Sequence, residues 1–410
     1  MLSHLPFYQT YQLLNDAIEP ARKLAKTAAG RIDEALPDGF CMLPGKMMVA
    51  SWEIFAFLRL THERPPFGIP SVKVGRREIA VTEEVITSTP FCDLVHFKKD
   101  CGQPQPRVLI VAPMSGHFAT LVRNTIETLL GDHDVYITDW LNIRNIPLEA
   151  GPFGLDQYIE HVIHFLEFMG DNVHVLGVCQ PAVPALIATA VMAEDQNPAQ
   201  PRSMVLMAGP IDTRINPTTV NKLAIEKPIE WFERNVIGTV PKKFPGAGRR
   251  VYPGFLQITA FMSMNVDRHF NSVVDLFTSI VNGNKQGEKF TRDFYEEYFA
   301  MMDMSAEFYL ETVRKVFQEF HLARGIFEYK GRLVKPELIR KSALFTVEGE
   351  RDDICSLGQT LAAQDLCSKL RPYKRVHHMQ AGVGHYGVFS GRRWQTEVYP
   401  LVRNFILQWE

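Results

Sequence analysis

From about residue 105 the chain alternates between short apolar runs and amphipathic helical patterns, and this alternation limits the possible folds more than any other feature. The strand-like runs are RVLIVAP (107–113), DVYITDW (134–140), NVHVLGV (172–178) and SMVLMAG (203–209). Helical patterns such as DQYIEHVIHFLEFM separate them. Apolar strands that alternate with amphipathic helices predict an α/β fold in which helices cover both faces of a mostly parallel sheet.

The alternation is interrupted and then resumes. Residues 213–335 are rich in proline, methionine and aromatic residues and read as mainly helical, after which SALFTVEG (342–349) and RVHHMQAG (375–382) return to the strand pattern. We therefore predict an N-terminal helical segment (1–70), an α/β core (71–212 and 336–410) and a mainly helical cap inserted between the two parts of the core (213–335). Residues 83–99 supply antiparallel leading strands in this interpretation.

Composition excludes several classes of protein. With 44 Lys and Arg against 46 Asp and Glu, and without a basic run, the chain lacks the charge pattern of a nucleic-acid binder. The N-terminus does not resemble a signal peptide, and the apolar runs fall short of the roughly 18 residues that a membrane span needs. The six cysteines show no CxxC pairing, so we predict neither a metal site nor a disulfide framework. These features predict a cytoplasmic protein.

The segment GVCQP (177–181) joins a predicted strand to a predicted helix and places Cys179 at the turn. A nucleophile elbow has the pattern Gly-x-nucleophile-x-small, and Pro181 fits its last position if it begins the helix, where proline is tolerated. A thiol there meets the positive end of the helix dipole, which favours the thiolate. The backbone N–H of Gln180 could then donate to an oxyanion. The alternative is that Cys179 is a small buried core residue.

Candidate partners for the thiol follow later in the chain. The segment ERDDI places Asp352 and Asp353 just after one resumed strand, and VGHYG places His385 just after the next. A base and its orienting carboxylate are expected at such strand ends in the order acid, then histidine. The spacing favours Asp352, and Asp353 stays open.

A second oxyanion donor is expected in the loop MSGHF (114–118) after the strand RVLIVAP. The candidates are the N–H groups of Met114 and Ser115, and the alternative is an ordinary strand-to-helix turn. We place His117, Trp140 and Tyr386 along a substrate groove.

The sequence resembles the intracellular polyhydroxybutyrate (polyhydroxyalkanoate) depolymerases, which are α/β-hydrolases with a catalytic cysteine. The stretches that carry the resemblance are HVLGVCQPAVP (174–184), YLETVRKVFQEFHLARG (309–325), ALFTVEGERDDICSLGQTLAAQDLC (343–367) and GVGHYGVFSGRRW (382–394). The resemblance implies a triad of Cys179, Asp352 and His385 and makes Pro181 part of a Cys-Gln-Pro elbow. Cys355 stands where a small residue such as serine is expected.

The resemblance also implies a reaction. Cys179 would cleave ester bonds of stored poly(3-hydroxybutyrate) through a thioester acyl-enzyme, with water or coenzyme A taking up the acyl group and no other cofactor. The expected partners are the surface of cytoplasmic polyester granules or their oligomers, and a homodimer is compatible with the sequence. Two alternatives remain: a polyhydroxyalkanoate synthase-like acyltransferase and a non-catalytic granule-binding protein.

Overall fold

The computed structural model describes residues 7–35, 43–264 and 266–410 and divides the chain into two compact units. The smaller unit contains the described residues of 1–65, 142–148 and 236–303, and the larger contains 66–141, 149–235 and 304–410. Residues 213–235 and 304–335, which the sequence analysis assigned to the cap, group with the sheet. The predicted segment boundaries stay a prediction, and the two units are described separately below.

The strands are β1 (Ser71–Val74), β2 (Arg77–Ala80), β3 (Thr82–Ser88), β4 (Cys92–Lys98), β5 (Arg107–Val111), β6 (Asp134–Trp140), β7 (Val173–Val178), β8 (Ser203–Met207), β9 (Gly238–Thr239), β10 (Arg250–Tyr252), β11 (Met304–Ser305), β12 (Glu328–Tyr329), β13 (Arg332–Leu333), β14 (Ala343–Gly349) and β15 (Arg375–Gln380).

The helices are α1 (Phe7–Ala35), α2 (Leu43–Phe57), α3 (Arg123–Leu129), α4 (Leu155–Met169), α5 (Ala182–Glu194), α6 (Thr219–Glu226), α7 (Ile229–Val236), α8 (Gly254–Met264), α9 (Val266–Val281), α10 (Lys285–Tyr298), α11 (Ala306–Thr312), α12 (Ala362–Leu366), α13 (Gly391–Arg393) and α14 (Tyr399–Gln408).

An eight-stranded sheet forms the centre of the larger unit, in the order β15-β14-β8-β7-β5-β6-β4-β3. Strand β4 runs antiparallel to both of its neighbours, and the remaining pairs are parallel. This is the strand order of the α/β-hydrolase fold. The predicted mostly parallel sheet and its antiparallel leading strands are therefore confirmed.

The burial of the central strands explains why their sequences are continuously apolar. Every residue of β7, β8 and β14 is buried because helices cover both faces of the sheet. Helix α5, which follows β7, is buried over most of its length, whereas α4 buries one face. Because β7, β8 and β14 are parallel neighbours in the sheet, their carboxyl ends lie side by side, and the loops that leave them can meet.

The smaller unit is helical, with β9 and β10 pairing as a short antiparallel ladder. Helix α2 packs against α1 and α9, and α9 also packs against α10. Tyr295, Phe299 and Met301 form a buried core cluster of this unit around Ile258. In the described part of the chain, no helix is long and apolar enough to cross a membrane. The described residues likewise contain no group of three or more His, Cys, Asp or Glu side chains that could hold a metal ion.

Candidate active site

Cys179 lies at the turn between β7 and α5. Its backbone adopts φ 65°, in the left-handed region that a side chain other than glycine occupies at a cost. The strain is held by hydrogen bonds on both sides, because Cys179 N–H donates to Met207 O (2.8 Å) and Ala182 N–H donates to Cys179 O (3.0 Å). Pro181 has helical dihedral angles (φ −58°, ψ −15°) directly before α5, as predicted.

Two glycines allow the turn to be this tight. A Cβ on Gly177 would lie 3.2 Å from Ala182 Cα and 3.2 Å from Pro181 O. A Cβ on Gly209, in the loop after β8, would lie 2.1 Å from Ala182 Cβ and 3.2 Å from Cys179 O. Helix α5 therefore begins in close contact with both strand ends, and the thiol sits at its positive end, where negative charge is stabilised.

His385 and Asp352 meet at the ends of β15 and β14. His385 Nδ1 and Asp352 Oδ2 are 2.8 Å apart, and both residues are buried (5% and 6% exposed). Backbone hydrogen bonds join the two loops, from Glu350 N–H to Gln380 O (3.0 Å) and from Arg351 N–H to Val383 O (2.8 Å). The loops are thus held in register beyond the last residues of the strands.

The second oxygen of Asp352 fixes the carboxylate itself. Oδ1 accepts the backbone N–H groups of Ile354 (2.9 Å) and Cys355 (2.8 Å). Asp353, which the sequence left open, is exposed, and the carboxylate that hydrogen-bonds to His385 is that of Asp352. The geometry therefore favours Asp352 as the group that orients His385.

The electrostatic environment of His385 points to proton transfer. Burial by itself would lower the pKa of His385, but the nearby Cys179 thiol and the hydrogen-bonded Asp352 carboxylate together raise that pKa well above its usual value. Because Cys179 contributes to this shift, its thiol lies in the neighbourhood of the imidazole ring. A thiol, an imidazole and a carboxylate arranged in this way can generate a nucleophile by passing the thiol proton to the imidazole.

The three predicted oxyanion donors differ in their hydrogen bonding. Among the described residues, the backbone N–H groups of Gln180 and Ser115 have no acceptor. The N–H of Met114 instead donates to the side-chain Oε1 of Gln180 at 3.3 Å. The loop after β5 therefore reaches the elbow, and the Gln180 side chain occupies the donor that an acyl oxygen would need from Met114.

The three predicted groove residues lie in different surroundings. Trp140 is buried, donates from Nε1 to Ala112 O (3.0 Å) and stacks on Tyr158. His117 is also buried, whereas Tyr386 is 43% exposed beside the His385 ring. Tyr386 is thus the member of this set that offers open surface, and the groove role of all three stays a prediction.

A buried carboxylate that was not predicted from the sequence holds the loop next to the site. Glu348 on β14 is 1% exposed, and its side chain accepts the N–H groups of Gly358 (3.0 Å), Thr360 (2.8 Å) and Leu361 (2.9 Å). Thr360 in turn donates to Gly209 O at 3.1 Å, next to the elbow. The available signal was a glutamate inside a strand buried on both faces, where an unpaired charge is costly.

Cys355 lies within the same loop, and burial, followed by the nearby Asp352 carboxylate and Cys179, raises the pKa of its thiol well above the usual value. Its Sγ contacts Gln359 Oε1 at 3.5 Å. The side chain therefore stays a neutral packing group in the position where the resemblance suggested serine.

Part of the chain matches a known protein family. Residues 208–410 match a family model described as PHB de-polymerase C-terminus, a range that includes Asp352 and His385 and begins after Cys179. No curated protein matches the chain in sequence.

Several solved structures are similar at low identity. The 2-hydroxy-6-oxo-6-phenylhexa-2,4-dienoate hydrolase from Rhodococcus sp. strain RHA1 is 13% identical, with 80% of this chain and 99% of that one covered at a TM-score of 0.45. An α/β hydrolase from Penicillium sp. sh18 is 13% identical (80% and 98% covered, TM-score 0.46). The monoacylglycerol lipase of Paleococcus ferrophilus is 13% identical (75% and 97% covered, TM-score 0.44). Similarity of this strength carries no information about substrate.

Proposed function

The C-terminal half of this chain, residues 208–410, belongs to the PHB de-polymerase C-terminus family, and from this premise we propose that the protein hydrolyses ester bonds of polyhydroxybutyrate with Cys179 as its nucleophile. The observation that carries the proposal is a cysteine at a strained strand-to-helix turn, beside a histidine that a buried aspartate orients. Membership of this family supports a hydrolase activity. The polyester substrate and the cysteine triad are what we propose.

In the first half of the reaction, His385 accepts the thiol proton while Cys179 Sγ bonds to an ester carbonyl carbon. The carbonyl oxygen becomes an oxyanion, which the N–H groups of Gln180 and Ser115 stabilise. When the oxyanion collapses, the ester C–O bond breaks and His385 gives its proton to the departing alkoxide. One polymer fragment leaves with a new hydroxyl end, and the other stays on sulfur as a thioester.

In the second half, His385 removes a proton from the acceptor as the acceptor's oxygen or sulfur attacks the thioester carbon. The C–S bond breaks, and the thiolate of Cys179 regains the proton from His385. With water the product is a 3-hydroxy acid or its oligomer, and with coenzyme A the product is a new thioester. The same step can proceed with water or with coenzyme A as the acceptor. The acceptor is therefore identified from the products.

The substrate is expected at the surface of cytoplasmic polyester granules or as oligomers released from them. The test incubates the purified full-length chain with native granules in the presence and absence of coenzyme A and identifies the products by mass. Hydroxy acids that form without coenzyme A support hydrolysis. If the product appears only as the coenzyme A thioester, the reaction is thiolysis and not hydrolysis.

Substitution of the nucleophile separates catalysis from binding. Cys179→Ala should lower granule breakdown by at least about a thousandfold, because no thioester can form. Cys179→Ser should lose most of the activity, since a hydroxyl ionises far less readily than a thiol. Cys101→Ala is the matched control, because Cys101 is partly exposed and its thiol donates to Gln103 O in a distant loop.

Two outcomes would overturn the proposal. Unchanged granule breakdown by Cys179→Ala would leave a polymer-binding protein without this catalytic thiol. Polymer growth from 3-hydroxybutyryl-CoA would instead make the chain a synthase-like acyltransferase.

A further inference from the structure

The smaller unit contains a groove of about 600 Å³ that includes none of the predicted catalytic residues. One side is formed by α1, with Tyr11, Asn15 and Arg22, and by the segment 58–60 after α2. The other side is formed by α8, α9 and α10. This volume lies within the range of about 300–1,000 Å³ that is usual for small-molecule sites.

Most of the groove is apolar. Its floor contains Tyr295 and Phe299, whose rings pack 5.0 Å apart over the core of this unit. At its rim, Phe270 is 68% exposed and Val266 is 62% exposed. Large apolar side chains that stay open to water along a groove favour a ligand with an apolar chain.

Arg22 places a charged group in this apolar groove, and no residue in the described part of the chain supplies its counterion. Its Nη1 donates to Asn15 Oδ1 at 2.9 Å, while its Nε is buried and finds no hydrogen-bond partner within the ranges that the structure describes. Among the described residues it forms no ion pair. The neighbouring Arg59 differs, because Glu19 pairs with it at 2.9 Å. An anionic ligand at Nη2, the remaining terminal nitrogen, would supply the negative charge that this guanidinium lacks.

Asn15 adds a second donor beside Arg22. Its side-chain oxygen is taken by Arg22, and its amide nitrogen has no acceptor among the described residues. The polar end of the groove therefore offers N–H donors to a ligand that carries acceptors. Carboxylates and ester carbonyls are both groups that accept without donating.

We propose that this groove binds the free carboxylate end of a linear oligoester of a 3-hydroxy acid. The carboxylate would accept from Nη2 of Arg22, the first ester carbonyl from Asn15, and the side groups of the chain would lie along Phe270 and the apolar floor. The chemical identity of the chain rests on the proposed function. An oligoester is preferred to a fatty acid because an alkyl chain has no acceptor for the Asn15 amide.

Calorimetric titration of the full-length chain tests the charged contact, with Cys179→Ala present throughout so that nothing is hydrolysed. The ligands are the 3-hydroxybutyrate trimer with a free carboxylate, its methyl ester, and decanoate. Arg22→Met should weaken binding of the trimer acid at least about tenfold and leave the methyl ester within about twofold. The matched control is Arg31→Met, nine residues later on the opposite, exposed face of α1.

A second pair of variants tests the apolar wall. Phe270→Ser should weaken binding of both the acid and its methyl ester several-fold, because their apolar contact is lost. Phe290→Ser is its control, since Phe290 is 78% exposed on α10 and does not line the groove. Circular dichroism of each variant verifies that the helical unit is folded.

The inference is overturned if Arg22→Met binds the acid as the parent does, if Arg31→Met loses as much, or if decanoate binds as tightly as the trimer with the same dependence on Arg22. Its failure can be told from failure of the proposed function. If only the groove proposal fails, the wild-type chain still hydrolyses polymer and binding does not depend on Arg22. If only the proposed function fails, Arg22-dependent binding persists and no hydrolysis is seen.

Discussion

Replacement of Asp352 by asparagine separates the two tasks of its carboxylate. Oδ1 accepts from the N–H groups of Ile354 and Cys355, and Oδ2 faces His385 Nδ1 at 2.8 Å. In Asp352→Asn the amide oxygen can keep both backbone bonds, so the free energy of unfolding should fall by only about 1 kcal/mol. The amide nitrogen then faces Nδ1 and favours the tautomer whose proton is on Nε2, where the thiol proton must go. We expect kcat to fall by about 10³–10⁴, or about 4–5.5 kcal/mol.

Asp352→Ala should behave differently, because it leaves both backbone N–H groups without their acceptor. At about 1–3 kcal/mol for each donor, it should lower the free energy of unfolding by about 2–6 kcal/mol as well as the activity. Asp353→Asn is the control, since Asp353 is exposed and its substitution should change stability by less than about 0.5 kcal/mol.

The assay combines hydrolysis of a soluble chromogenic butyrate ester with urea unfolding followed by tryptophan fluorescence. Turnover by Asp352→Asn within about tenfold of the wild type would refute the orienting role. An equal loss in Asp353→Asn would show that the loop as a whole, and not the bond to His385, sets the rate.

Three further substitutions test other parts of the structure. Gln180→Ala frees the Met114 N–H from the 3.3 Å bond and should raise kcat/KM for the soluble ester by up to about fivefold; an unchanged value would remove Met114 from the oxyanion site. Gly209→Ala would place a Cβ 2.1 Å from Ala182 Cβ, so it should lower both the activity and the free energy of unfolding, the latter by about 1–3 kcal/mol. If the variant keeps its stability and its activity, the close packing at the elbow is refuted. Burial, followed by the charge of Arg144, lowers the pKa of His62 from 6.5 to about 3. Its unfolded form therefore binds a proton below about pH 6.5 that the folded form binds only near pH 3, and this contribution should remove about 2 kcal/mol of stability between pH 7 and pH 5. Unfolding of His62→Gln over the same range should lack that loss, and an equal loss in the variant would assign the acid sensitivity to other groups.

Much of the candidate site could be predicted from short segments of the sequence. The elbow needs a glycine before Cys179, a helix-starting residue after it, and a strand and helix on either side, and all of these lie within a short segment. Strand ends could be predicted for the same reason, because both faces of the sheet are buried and the strands are continuously apolar. His385 followed from its place after the last strand.

Other features could not be read from local pattern because they depend on which groups meet in three dimensions. Asp352 and Asp353 are adjacent and chemically identical, and the direction of a single loop makes one face His385 and the other face water. The Gln180 side chain reaches Met114, 66 residues earlier, through a choice of rotamer that no periodicity encodes. Glu348 lies within an apolar strand, and its three N–H donors from residues 358–361 reach it only in the folded chain.

By itself, the sequence predicted the mostly parallel sheet and proposed Cys179 and His385 as candidate site residues, because periodicity, turn residues and the helix dipole act over a few residues. The tertiary structure decided that Asp352 and not Asp353 hydrogen-bonds to the histidine, that the Met114 N–H is taken by Gln180, and that Arg22 lies in an apolar groove where no described residue pairs with its charge. These outcomes depend on burial and on hydrogen bonds between segments far apart in the chain. Their energies exist only after the sheet and the helices have packed.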